Sequence, residues 1–137
     1  MPYFGQEVFE MAQKKGSLTR RKYKKALAKC NRLSRKNIDK IIKKYKLDAI
    51  IAPTGGPAWS IDLINGDHFG GMSSSSPAAV AGYPNITVPA GYVHELPIGI
   101  SFFSGAFQEP TLLKIAYAYE QATKIRQPPK FLPTLPI

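Results

Sequence analysis

Cysteine is nearly absent from this chain of 137 residues: Cys30 is the single one. One thiol excludes an internal disulfide and any cysteine-cluster metal site. Cys30 falls on the apolar stripe of a helix described below, so a buried, inert thiol is expected. Histidine is almost as scarce. His68 and His94 have no partner at ligand spacing, and no metal site is expected. Glycine-rich phosphate loops are missing too: "GGPAWS" and "GDHFGGMS" fit neither a Walker nor a dinucleotide pattern, and no cofactor is called for. No apolar run reaches the ~18 residues of a membrane span. The opening "MPYFGQEVFEMAQKKG" has no charged-then-apolar signal layout. A cytoplasmic location, away from membranes, is expected.

Acidic residues are few where basic ones are many. Of 19 Lys and Arg, 15 lie between Lys14 and Lys46, a stretch with one acid, Asp39. A basic block of this kind raises nucleic acid or an acidic partner as a ligand. It sits on a helix with few exposed aromatics for stacking. A solvated outer face is the better reading, and nucleic acid is not expected.

The length fits one domain, 1–137. No internal repeat is present. Residues Phe4 to Lys14 read as a short helix, broken by "KGSL". Ser17 or Thr19 can cap the next helix by accepting a first-turn amide. From about 19 to 46 the apolar positions Tyr23, Leu27, Cys30, Leu33, Ile38, Ile41, Ile42 and Tyr45 step by three and four, which marks one helix face. That face should be buried and its lysines solvated.

The sheet and helix part runs from about 47 to 126. "LDAIIAP" is a short apolar run ending at Pro and Gly, a buried strand expected to be parallel to its neighbours. A long irregular segment, Gly56 to Ser75, follows; loops of this length are commonly functional. In "SPAAVAG", Ser76 is placed as N-cap, Pro77 as the first helical residue and Gly82 as the stop. "NITVP" and "PIGISFFS" are strands joined by "AGYVHEL". "EPTLLKIAYAYEQATK" is a helix with Leu112, Leu113, Ala116, Tyr119 and Ala122 on or near its buried stripe. The tail, 127–137, is proline-rich and irregular. Helices and strands alternate, which defines an α/β class.

The stretch "GGMSSSSP" invites a nucleophile reading. A serine nucleophile needs a base and oxyanion donors. Asp67 and His68 are adjacent, and consecutive side chains diverge, so they make a poor dyad; "GxSxG" is absent. The serines read better as a cap and a polar approach to a helix.

"LDAIIAPTGGPAW", "SSSSPAAVAGYPNITVPAG", "LPIGISFFSGAFQEPTLLKIAYAYEQAT" and "RQPPKF" together resemble the C-terminal part of amidase signature enzymes. "YFGQEVFEMAQKKGSLTRRKY" resembles the segment before that family's long surface helix. The resemblance covers nearly the whole chain. It implies the C-terminal part of the amidase signature fold, a mixed sheet flanked by helices. It also implies hydrolysis of amide C–N bonds by a Ser–cis-Ser–Lys triad whose lysine and Gly/Ser-rich nucleophile loop belong to segments upstream of the matched part. No catalytic residue is carried over to this chain. The expected role is to complete the sheet and wall one side of the pocket. Pocket candidates hang from the end of the "DAIIAP" strand: Thr54, Trp59, His68, Ser73, Ser74 and Ser75. Trp59 reads equally as a core plug. The expected partners are the upstream segment of the same amidase and a small amide substrate. Apolar faces left uncovered would also favour a homo-oligomer. A truncated gene product, a split-gene half and a solved fragment all fit. The rival readings are a non-catalytic remnant and a binding module that uses the basic helix on nucleic acid or an acidic partner.

Overall fold

The computed structural model describes residues 5–68, 71–131 and 133. Seven elements follow one another: α1 (Glu7–Gln13), α2 (Arg21–Tyr45), β1 (Ile50–Pro53), α3 (Ser75–Ala81), β2 (Asn85–Val93), β3 (Leu96–Phe103) and α4 (Glu109–Thr123). The α/β class holds, with a small sheet and four helices among the described residues.

The strands pair in the order β1-β3-β2, and both pairings are antiparallel. This corrects the parallel neighbour expected for β1; the sheet formed by the described strands is antiparallel rather than mixed. The reason is topological. β1, α3 and β2 do form a crossover in which β1 and β2 run the same way. The hairpin then folds β3 back between them, so each meets β3 instead of the other. The hairpin connection is also shorter than expected: β2 and β3 extend until only His94 and Glu95 separate them. Both have positive φ, 48° and 63°, the two-residue pattern whose twist matches the flanking strands. One extra residue, Ala90, bulges from β2 between Pro89 and Gly91.

Successive residues of β3 point to opposite faces, and this splits the core in two. Phe102, with Val88, packs on Leu112 and Ala116 of α4. Phe103 packs on Ile38 of α2 and on Ala78 and Ala81 of α3. The second cluster is fastened by α2 side chains. Arg35 Nε donates to the Ala81 carbonyl at 2.8 Å, and its guanidinium lies 5.5 Å from the Tyr83 ring centre. Tyr83 donates its hydroxyl to the Asp39 carboxylate at 2.9 Å.

Several local expectations are corrected. α2 starts after Arg20 with no side-chain cap. Ser17 Oγ instead accepts the Thr19 N–H and lies 2.8 Å from the Thr19 hydroxyl, so the two stabilise the turn before the helix. α3 starts two residues earlier than expected: Ser74 is the N-cap, Ser76 lies inside the first turn and Pro77 is third. Gly82 ends α3 with a left-handed φ of 65°, as expected.

The α2 stripe is the largest departure. Ile38 is 5 % exposed, whereas Tyr23, Leu27, Leu33, Ile41 and Tyr45 are all exposed, Ile41 at 43 % and Tyr45 at 59 %. Cys30 is exposed as well, not buried. The helix spans 25 residues, about 37 Å at 1.5 Å per residue. The three short strands reach only its C-terminal half. Its apolar periodicity is real, but the described residues cover it only at Ile38 and, in part, Ile42. On α4, Leu113 and Ala122 are exposed while Leu112 and Ala116 are buried.

Candidate functional site

β1 ends at Pro53, and the chain leaves the sheet at Thr54. On this face of the sheet three hydroxyls meet. Ser101 pairs across the ladder with Thr87 on β2 and with Ala52 on β1. Its Oγ lies 2.8 Å from Thr54 Oγ1 and 2.9 Å from Thr87 Oγ1. Thr54 in turn donates to Thr87 at 3.3 Å. Gly99 makes this approach feasible: a Cβ there would come within 2.7 Å of Thr87 Cγ2 and 2.9 Å of Thr54 Oγ1. Ser101 is buried, and Thr54 is half-buried.

The serine run joins this cluster through the backbone. The Ser74 N–H donates to the Thr54 carbonyl at 3.3 Å. Ser73 and Ser75 hydroxyls lie 3.1 Å apart and bond to each other. Ser74 Oγ is buried and makes no hydrogen bond among the described residues. Local chemistry explains why it fails to cap α3. Its ψ of 1° is outside the extended region that capping needs, and the third helical residue, Pro77, has no N–H to give. Thr54, Ser73, Ser74 and Ser75 therefore form one polar group of elements.

Trp59 and His68 lie on the long loop and are exposed. Trp59 belongs to neither core cluster, which removes the core-plug reading. The loop is tied by Asp62. Its carboxylate accepts the N–H groups of Ile64 and Asn65, each at 2.9 Å, and the Asn65 side-chain amide at 3.0 Å. These bonds, led by the Asn65 backbone N–H, hold the Asp62 carboxyl below its usual pKa. Asp67 accepts the Asp62 N–H at 3.2 Å and so spends a carboxylate oxygen on the loop. No described contact joins Asp67, His68 and the serines into a triad. Among the described residues, no group of three or more His, Cys, Asp and Glu could hold a metal ion. No described helix is long and apolar enough to cross a membrane.

Thr87 and Ser101 are the site residues that sequence reasoning missed. A signal was present: their alternation in "NITVP" and "GISFF" places one hydroxyl from each strand on the face opposite the Val88 and Phe102 side chains. Only the register shows that the two are direct partners.

The Amidase family profile matches residues 2–113, and the chain belongs to that family. A probable amidase of Arabidopsis thaliana is 44 % identical over 130 residues, covering 94 % of this chain and 22 % of the plant protein. A glutamyl-tRNA(Gln) amidotransferase subunit from Clostridium acetobutylicum is 40 % identical over 106 residues, 74 % of this chain and 21 % of that protein. Among solved structures, the peptide amidase of Stenotrophomonas maltophilia superposes with a TM-score of 0.82 at 43 % identity, over 93 % of this chain and 26 % of that enzyme. The chain thus spans between a fifth and just over a quarter of the length of these relatives.

Proposed function

We propose that this chain is the C-terminal portion of an amidase that hydrolyses amide C–N bonds through a serine supplied by an upstream segment. The observation that carries the reading is the mismatch of coverage: the likeness takes in 94 % of this chain but 22 % of the plant amidase. Amide hydrolysis by a serine needs a nucleophile, a proton acceptor and an oxyanion hole acting together. Here Ser73 and Ser75 bond to each other, Ser74 Oγ is buried, Ser76 is exposed in the first turn of α3, and no described hydrogen bond joins any of them to a base. The chain contributes scaffold and one wall of a pocket. Thr54, Ser73, Ser74 and Ser75 form the lip of that wall, and Trp59 and His68 stand on the loop above it. The exposed α2 stripe and the open edge of β1 are surfaces on which the upstream segment would dock. The likeness to a peptide amidase puts peptide amides among the substrates to test, beside small primary and aryl amides. The cytoplasm is the compartment we propose, consistent with a single unpaired cysteine.

The test is reconstitution. The chain is purified alone and mixed with an upstream amidase segment, and both samples are assayed on peptide, primary and aryl amides. Turnover in the mixture with none in the chain alone supports the reading. Turnover by the chain alone contradicts it.

A further inference from the structure

Thr54 is held at three points by the sheet and holds the serine run at one. Its hydroxyl meets Ser101 Oγ at 2.8 Å and Thr87 Oγ1 at 3.3 Å. Its N–H donates to the Gly99 carbonyl at 2.8 Å. Its own carbonyl then accepts the Ser74 N–H. The entry to α3 has no side-chain cap, so this one bond is the described hydrogen bond that ties the serine run to the sheet. Ser101 is the innermost member of the set. It is 1 % exposed, and its hydroxyl is the nearer of the two that fix the Thr54 side chain. The three hydroxyls close a ring in which each donates once and accepts once. Removing Ser101 Oγ opens that ring and leaves Thr54 with only the longer contact to Thr87.

We propose that Ser101 is a positioning residue: through Thr54 it sets where Ser73, Ser74 and Ser75 stand relative to the sheet, and so sets substrate affinity without entering the chemistry. The effect on the loop rests on geometry alone. The effect on substrate rests on the pocket-wall reading above.

Two readouts separate these. Amide hydrogen exchange at Ser74 is followed by NMR in the full chain, and KM and kcat are measured in the assembled enzyme. Ser101→Ala and the isosteric Thr54→Val are expected to speed Ser74 exchange roughly three- to tenfold, the span of one net hydrogen bond. Both should raise KM by a similar factor with kcat within about twofold. Thr54→Ser keeps the hydroxyl and should restore wild-type Ser74 exchange. Thr87→Val spares the Ser101–Thr54 bond and should do less than Ser101→Ala. Unchanged Ser74 exchange in both Ser101→Ala and Thr54→Val overturns the proposal. Faster exchange in both, with KM unchanged, upholds the positioning of the loop and overturns the pocket-wall reading instead.

Discussion

Gly99 and Ser74 show how little room the site leaves. A methyl at Gly99 would press on Thr87 and Thr54 at distances that require the strands to shift. Gly99→Ala is therefore expected to cost about 1–3 kcal/mol, as overpacking does, measured by urea unfolding. Ser74 gives the opposite sign. Its hydroxyl is buried without a partner, so Ser74→Ala should leave stability unchanged or raise it slightly. Ser76 is exposed in the first turn and caps nothing; Ser76→Ala should stay within about 0.5 kcal/mol. Tyr83 carries a pH signature. Burial, then the hydrogen bond to Asp39 and the charge of Asp39, raise its phenol above the usual value, with Arg35 opposing. A raised folded pKa stabilises below the unfolded value of about 10 and loses that contribution as pH rises through the folded one. Stability should fall above about pH 10, and Tyr83→Phe should flatten that fall. The sequence marked Ser74 as a pocket candidate and Ser76 as a cap, but gave Gly99 and Tyr83 no special place. A buried orphan and a phenol–carboxylate bond across 44 positions depend on tertiary placement.

Elements were far more legible than their contacts. α2 and α4 declared themselves by apolar steps of three and four, and their observed bounds differ from the expected ones by a residue or two. The strands were visible as short apolar runs. Their pairing was not, because β1, α3 and β2 in sequence order resemble a parallel unit whichever strand lies between. The hairpin turn makes a direct prediction. His94 and Glu95 both hold left-handed φ, which costs non-glycine residues about 1 kcal/mol or more each. The pair His94→Asn and Glu95→Gly should stabilise the chain by about 0.5–1 kcal/mol in thermal unfolding. Along α2 burial separates two isoleucines of one stripe. Ile38→Asp should cost several kcal/mol in the chain alone, because Ile38 sits in the core cluster. Ile41→Asp should cost less than about 1 kcal/mol there, and several only where another surface covers it.

At the scale of the whole molecule, the exposed apolar side chains are the unresolved demand. Val8, Phe9 and Met11 on α1, Tyr23, Leu27, Leu33, Ile41 and Tyr45 of the α2 stripe, and Leu113 and Tyr117 on α4 are all exposed. A chain with a net charge of +10 resists stacking its basic helix on a copy of itself, which leaves a less basic partner as the better cover. The candidate site was half legible. Thr54 and the serines were found from the strand end and the run itself, whereas the sheet hydroxyls needed the register and the loop residues Trp59 and His68 were not drawn into the cluster. The central claim is that the nucleophile lies outside this chain. A serine-reactive fluorophosphonate probe tests it most directly, applied to the purified chain, to an upstream amidase segment, and to the two mixed. The expected result is no labelling of this chain in any sample, with labelling of the upstream segment in the mixture. Covalent labelling of one of Ser73–Ser76, with amide turnover lost when that serine becomes alanine, would contradict it.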